Sequence, residues 1–169
     1  MATREEIEAI GSTPGSSYET PKKNFSSTSE YLEWLSVAVM EAHTTNNGID
    51  PILFQHIASD FEMVNASVHE CPLPPAGNLA EHLQQMVQFR KDNPGWKVHA
   101  TNVSVSLVKG SNSAEVWLTM RGCDADDISF NRESVSILHW RRRSTDGVWV
   151  CYRHTGIRGP GDSLAATGV

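Results

Sequence analysis

The sequence predicts an α+β domain in which helices cover one face of a mostly antiparallel sheet. In the first half of the chain, apolar residues recur at helical spacing behind helix-capping residues. From Trp96 to Gly156, apolar and polar residues alternate as in four successive strands. Helical segments followed by a run of strands favour segregated layers over an alternating parallel fold.

Two helices are predicted before the first strand. Ser27 and Glu30 form a capping-box pattern, and an apolar stripe at helical spacing follows to about His43. Asp50 has the character of an N-cap and Pro51 that of a first helical residue, so a second, short helix should run to about residue 58.

A short strand over residues 60–67 and a third helix complete the predicted first half. Asn78 and Glu81 form another capping pair, and the helix should continue to about Lys91. Asn93-Pro94-Gly95 ends it. The four later strands should form an antiparallel meander. Their alternating apolar positions are Val103, Val105, Leu107; Val116, Leu118, Met120; Val135, Ile137; and Val148, Val150, Tyr152.

The chain of 169 residues is predicted to fold as one domain over residues 27–158. Residues 1–26 are rich in Gly, Ser, Thr and Pro, which predicts a flexible N-terminal arm, and residues 159–169 should form a flexible tail.

Composition excludes several classes of protein. The net charge of −6 argues against nucleic-acid binding. No apolar run approaches the roughly 20 residues that cross a membrane. The charged N-terminus lacks the apolar core of a secretory signal, and three cysteines without a C-x-x-C pair indicate reduced thiols. These features predict a cytoplasmic protein.

Three strands carry a histidine in phase with their apolar residues, which suggests a core that opens into a pocket. Pairing about the predicted turns brings His99, Asp124 and His154 to one rim of the sheet. The same pairing places His139 toward the other end, close to Tyr152, where a structural role is expected.

This rim suits general acid–base chemistry. His99 with Asp124 would serve as base or acid and His154 as its counterpart. Tyr152 would donate to a carbonyl or stabilise an enolate, and Glu62 offers a second carboxylate. Proton removal beside a carbonyl, followed by dehydration, isomerisation or ring closure, fits this set and needs no cofactor.

Plainer interpretations stay open for each of these residues. A one-residue bulge would turn His99 outward, His154 also fits a hydrogen-bonded rim histidine, and the acidic run from Asp124 fits a solvated loop. A metal held by histidine and carboxylate is a further alternative, although no H-x-H or H-E-x-x-H spacing supports it. His56 and His82 are expected in surface or packing positions, and His43 has no evident partner.

The outer face of the sheet is predicted to be apolar. Trp117 and Trp149 are out of phase with their inward neighbours and should cover that face. An apolar outer face indicates a homodimer interface.

Two segments carry a resemblance to a known family. Residues 137–143 (ILHWRRR) with 146–149 (DGVW) match the last hairpin of scytalone dehydratase, and Asn102-Val103 with Val105 matches the start of the long strand in SnoaL-like proteins. The chain therefore resembles the nuclear transport factor 2-like superfamily, over about residues 28–158. The resemblance implies a cone-shaped fold with three N-terminal helices on a curved sheet.

The chain also departs from that family. Val98 stands where members often have a histidine, Thr44 and Thr45 stand where scytalone dehydratase has a tyrosine–aspartate pair, and Asp126 stands near its second pocket histidine. Scytalone dehydration is therefore not predicted.

The resemblance implies a lyase, isomerase or cyclase that acts on a hydrophobic polyketide- or terpenoid-like molecule in a biosynthetic pathway. The alternative is a non-catalytic domain of the same fold that binds a ligand or a protein. A third hypothesis is a hydrolase or a dioxygenase-like subunit with a metal.

Overall fold

The computed structural model of the chain describes residues 24–44, 49–65, 73–108, 110–123 and 132–161. It confirms an α+β architecture with a five-stranded mixed sheet. Most of the predicted arm and tail lies outside the described residues. The elements in chain order are α1 (Thr28–Ala42), α2 (Pro51–His56), β1 (Ile57–Asn65), α3 (Leu79–Asp92), β2 (Lys97–Leu107), β3 (Ser113–Cys123), β4 (Arg132–Arg142) and β5 (Trp149–Gly161).

Each helix begins at the capping residue that the sequence indicates. Ser27 Oγ accepts a hydrogen bond from the amide of Glu30, and Asp50 accepts one from the amide at residue 52. The Asn78 side chain accepts the amide of Glu81. These side chains satisfy amides that have no partner inside the first helical turn, which fixes where each helix starts.

The sheet order is β1-β5-β4-β3-β2. β2 to β5 form an antiparallel meander, whereas β1 pairs in parallel with β5. β5 is therefore an internal strand, and its inward side chains lie between those of β1 and β4. β5 continues to Gly161, three residues past the predicted domain end at residue 158.

Two bulges decide which side chains face the core. The register between β2 and β3 shifts at Thr101, so Val98 and Ala100 lie on the same face as Val103 and Val105. A second shift lies opposite the step from His139 to Trp140, at Tyr152 of β5. An extra residue in one strand reverses the alternation beyond it.

The core lies between one face of the sheet and the helices. α1 packs on β2 and β3, and α3 packs against β1. The largest side chains with almost no exposure come from both layers: Trp140, Leu32, Leu35, Leu53, Met86, Leu118, Met120 and Leu138. Four buried histidines lie among the described residues, at positions 43, 56, 82 and 154.

Candidate active site

The prediction that His99 faces the pocket is wrong. His99 is exposed on the outer face of the sheet, opposite Arg121 on β3. The bulge at Thr101 is the cause, because it reverses the alternation of β2 and turns Val98 inward at 6% exposure instead. Glu62 is exposed as well, since its neighbours Phe61 and Met63 supply the buried face of β1.

Tyr152 also lies away from the interior. Its ring centroid is 6.1 Å from that of His139, as the predicted proximity of the two requires, and the Arg141 guanidinium lies 5.1 Å from the same ring. His139 Nδ1 is 3.4 Å from a carboxylate oxygen of Glu115, and Arg141 is paired with Asp60. Tyr152 therefore belongs to a network of charged side chains on the outer face.

The remaining predicted positions have different outcomes. Asp124 lies outside the described residues, so its predicted position at the rim with His154 stays a prediction. Trp149 is only 6% exposed and packs in the core, which corrects its predicted place on the outer face. The bulge at Tyr152 explains this, because it puts Trp149 and Cys151 on the same face as His154.

His154 does face the interior, where it is 8% exposed. Its neighbours across the sheet are Met63 on β1 and Leu138 on β4, which gives the imidazole apolar flanks. His154 Nε2 lies 3.0 Å from Ser136 Oγ, a hydroxyl that is itself buried. The central strand therefore holds one imidazole by a single neutral hydrogen bond.

Two helical histidines, which the sequence did not single out, form a second pair in this interior. His43 Nε2, at the end of α1, lies 2.9 Å from His82 Nε2 on α3. His43 Nδ1 is 2.7 Å from the carbonyl oxygen of Val39. The ring of Phe61 lies 4.9 Å from that of His82. Arg90 holds the two helices together nearby, because its Nε donates to the carbonyl of His43 at 2.7 Å.

These contacts fix where the hydrogens lie. A carbonyl oxygen only accepts, so His43 Nδ1 donates to Val39. In a neutral imidazole the other nitrogen then carries a lone pair, so His43 Nε2 accepts and His82 Nε2 donates. His82 Nδ1 is therefore a bare acceptor. It is buried and has no hydrogen-bond partner within the described part of the chain.

Burial keeps all three imidazoles neutral. Desolvation lowers the pKa of His43 to about 4, and the positive charge of Arg90 acts in the same direction. Desolvation lowers the pKa of His82 to about 2 and that of His154 to about 3. The histidines also lower one another's pKa, because a charge on His43 opposes a charge on His82 or His154. Each of these effects favours the neutral form of the imidazole.

The pair formed by His154 and Ser136 has a hydrogen to spare. A neutral imidazole and a hydroxyl together carry two hydrogens, and their mutual bond uses one of them. Whichever group donates in that bond, the other retains a hydrogen that can be given to a third partner. The interior thus contains a bare acceptor at His82 and a spare donor at His154–Ser136.

Other buried polar atoms also lack a partner among the described residues. They are Ser36 Oγ, Gln85 Oε1 and Trp140 Nε1. Gln85 Nε2 donates to the carbonyl of Pro75, which identifies its oxygen as the unpartnered atom. Leaving a buried polar group unpaired costs about 1–3 kcal/mol. Several such atoms in one interior indicate that water or a ligand supplies hydrogen bonds there.

The sequence did contain a signal for the helical pair. His82, Met86 and Arg90 are four residues apart and share one face of α3, and Leu83 beside them is buried as well. His43 stands four residues after Val39 on the apolar stripe of α1. A histidine in phase with a buried stripe needs a partner inside the protein.

Within the described ranges, no three or more histidine, cysteine, aspartate or glutamate side chains are grouped so as to hold a metal ion. The helices of those ranges are too short or too polar to cross a membrane. A surface hollow of about 350 Å³ lies at the start of α1 and is lined by Asn24, Phe25, Glu30, Glu33 and Trp34. It is separate from the histidine cluster, none of whose members lines it.

Comparison with solved structures identifies the fold of the chain, and the sequence comparisons find no match. No family model matches the sequence, and no curated protein matches it. A candidate dehydratase of the NTF2-like family from Streptomyces avermitilis superposes with a TM-score of 0.60 and 16% identity, over 78% of this chain and 96% of that one. The chain has the NTF2-like fold.

Two further structures of this fold are similar. A protein with a cystatin-like fold from Caulobacter vibrioides gives a TM-score of 0.60 at 15% identity, over 80% of this chain and 92% of that one. A candidate ketosteroid isomerase from Shewanella frigidimarina gives 0.52 at 12% identity, over 75% and 90% of the two chains. Such identities establish a shared fold, so the chemistry has to be argued from the side chains.

Proposed function

We propose that this NTF2-like protein is a cofactor-independent lyase, isomerase or cyclase that acts by general acid–base chemistry on a polyketide- or terpenoid-like small molecule. The observation that carries the proposal is the unpartnered acceptor at His82 Nδ1, held by His43 in one tautomer. The dehydratase and ketosteroid isomerase candidates that share the fold support this class of reaction.

His82 is assigned the role of base. Its Nδ1 takes a proton from the carbon next to a substrate carbonyl, and the electrons of the broken C–H bond move through the new C=C bond onto the carbonyl oxygen. The resulting imidazolium is shared with His43, because the hydrogen between the two Nε2 atoms can shift toward His43. Burial makes that cation costly, so its formation depends on the negative charge that develops on the substrate oxygen.

The His154–Ser136 pair is assigned the role of electrophile. Its spare hydrogen would be donated to the carbonyl oxygen and would stabilise the enolate as charge develops. The proton on His82 is then returned. Delivery to a neighbouring hydroxyl releases water and completes a dehydration, and delivery to another carbon completes an isomerisation.

The surroundings of the cluster favour an apolar substrate. Phe61 packs beside His82, and Met63 and Leu138 flank His154 on the neighbouring strands. His82 is only 1% exposed, so a ligand that reaches Nδ1 has to displace side chains that cover it. This closed, apolar setting excludes water from the enolate, which protects it from premature protonation.

Dehydration of a panel of aromatic β-hydroxyketones tests the proposal, with the conjugated enone followed by its absorbance. We expect turnover by the wild type, a loss of about a hundredfold or more in kcat for His82→Phe and for His154→Phe, and normal turnover for His139→Phe on the outer face. If the panel is turned over equally well by the two interior variants, the assignment is wrong.

A second function, protein binding without catalysis, is favoured by one observation. Trp117, Val135 and Ile157 are 44%, 36% and 52% exposed, and they lie on the outer face of neighbouring strands. An apolar patch of this kind is typical of an interaction surface, and a second copy of the chain is the partner that we propose.

A further inference from the structure

The interior cluster presents a donor and an acceptor to a ligand, and together they define what the ligand must carry. We propose that the site binds a hydroxyl-bearing carbonyl compound in its uncharged form, with the hydroxyl donating to His82 Nδ1 and the carbonyl accepting from the His154–Ser136 pair. This inference rests on the proposed function, because it names the substrate class of the same site. The hydroxyl occupies His82 Nδ1 in the bound complex, and it has to leave that lone pair before the lone pair can take the proton beside the carbonyl.

The hydroxyl requirement follows from the fixed tautomer. The chain of donation runs from His82 Nε2 to His43 Nε2 and from His43 Nδ1 to the Val39 carbonyl, so both ends of it are determined. At His82 Nδ1 only a lone pair remains. A ligand oxygen therefore has to bring its own hydrogen, and an ether or a ketone oxygen in that place would face the lone pair with another lone pair.

The same geometry excludes the ionised ligand. A phenolate or enolate oxygen carries no hydrogen and is repelled by the lone pair of His82. The ionised ligand would bind only if the histidine cluster took up a proton to balance the negative charge. The titratable and charged groups that face this cluster are His43 on α1, His154 on β5 and Arg90 on α3, with His139 behind the sheet. Each of them opposes an added positive charge on the imidazoles, which keeps His82 an acceptor.

The carbonyl requirement follows from the second pair. His154 and Ser136 together retain one hydrogen after their mutual bond, and a carbonyl oxygen accepts it without adding a further donor and can take up the charge of an enolate. A ligand with a hydroxyl and a carbonyl on an aromatic or enolised frame would satisfy both pairs.

The probe is para-hydroxyacetophenone, compared with para-methoxyacetophenone, which has the same frame and carbonyl but no hydrogen to donate. Binding of each is measured by calorimetry, and the ionisation state of the bound hydroxyl probe by its absorbance spectrum. The wild type should bind the hydroxyl probe about tenfold more tightly than the ether, the value of one hydrogen bond to a buried acceptor. Bound probe should show the neutral spectrum at a pH where the free probe is half ionised.

His82→Phe removes the acceptor and should abolish the preference for the hydroxyl probe, whereas His139→Phe should retain it. Equal affinity for the ether, a bound phenolate spectrum, or no binding of either probe, which would mean that water or packing satisfies His82, overturns the proposal. The wild-type comparison of the two probes decides the matter even if His82→Phe does not fold.

Failure of this inference is distinguishable from failure of the proposed function. If the protein prefers the neutral hydroxyl probe but does not turn over β-hydroxyketones, the binding site is supported and the proposed catalysis is wrong. If it turns over β-hydroxyketones without that preference, the proposed catalysis is supported and the inferred ligand class is wrong.

Discussion

The Nε2 atoms of His43 and His82 lie 2.9 Å apart, and only His82 has the hydrogen for the bond between them. This assignment follows from the bond of His43 Nδ1 to the Val39 carbonyl. It makes His43 a residue that positions His82 and fixes its tautomer, and it leaves the far nitrogen of His82 as the acceptor on which the proposed chemistry depends.

The tautomers can be read directly by nitrogen-edited proton NMR of histidine-labelled protein. We expect His43 to carry its hydrogen on Nδ1 and His82 to carry its hydrogen on Nε2. In His43→Phe the partner of His82 is lost, so the His82 signals should shift toward an average of both tautomers, while His139→Phe should leave them unchanged. A hydrogen on His43 Nε2 in the wild type would refute the assignment of His82 Nε2 as the donor to His43.

Acidification should destabilise the fold. Burial lowers the pKa values of the histidines at positions 43, 82 and 154 to about 4, 2 and 3 in the folded protein, below the ordinary value of 6.5 for histidine. Below about pH 6.5 the unfolded chain therefore binds more protons than the folded one, and stability is lost progressively as the pH falls toward the folded-state values. Each histidine contributes up to about 2 kcal/mol to the loss between about pH 7 and pH 5.

Denaturant titration at these two pH values measures this loss. His82→Phe should show a smaller pH dependence than the wild type, because one of the three neutral imidazoles is gone. The exposed His99→Phe serves as the matched control and should keep the full dependence. A wild-type stability that is the same at both pH values would contradict the burial of neutral imidazoles.

The cap of α3 should contribute to the placement of His82. Asn78 accepts the amide of Glu81 at 2.9 Å, so Asn78→Ala should lower the free energy of unfolding by about 1 kcal/mol. Gln84→Ala, on the exposed side of the same helix, should change it by less than about half of that amount. Equal effects of the two substitutions would mean that the cap does not set the start of α3.

The outer face predicts self-association. Trp117→Glu places a charge in the exposed apolar patch and should shift the protein from dimer to monomer in light scattering. Val108→Glu is a control at a side chain that is 75% exposed at the end of β2 and lies outside that patch. If the wild type is monomeric, or if both variants keep the mass of a dimer, the outer face is not the interface.

Local sequence signals predicted the elements well, and the tertiary arrangement of the histidines poorly. Capping residues such as Ser27, Asp50 and Asn78 act within one helical turn, so their effect can be read from the sequence. The prediction for His99 was wrong because the bulge at Thr101 has no signature in the neighbouring sequence. The bulge reverses which side chains of β2 face the core beyond it. His43 and His82 are 39 residues apart, and nothing in either helix alone indicates that the two rings meet.

His154 faces inward, but the hairpin pairing alone does not give its neighbour. Pairing about the turn between β4 and β5 would put His154 opposite Ile137, and the bulge at Tyr152 shifts it to Leu138. The other two histidines of the cluster, His43 and His82, come from the helical layer that packs on this face of the sheet.

The most direct test of the proposed chemistry is the rate at which the protein exchanges the protons beside the carbonyl of acetophenone in heavy water, followed by NMR, because this ketone has no hydroxyl to occupy His82 Nδ1. This measurement needs no leaving group and reports only proton removal by the interior base. We predict exchange well above the buffer rate for the wild type and for His139→Phe, and a loss of about a hundredfold for His82→Phe. Wild-type exchange no faster than buffer, or equal exchange by His82→Phe, would contradict the proposed chemistry.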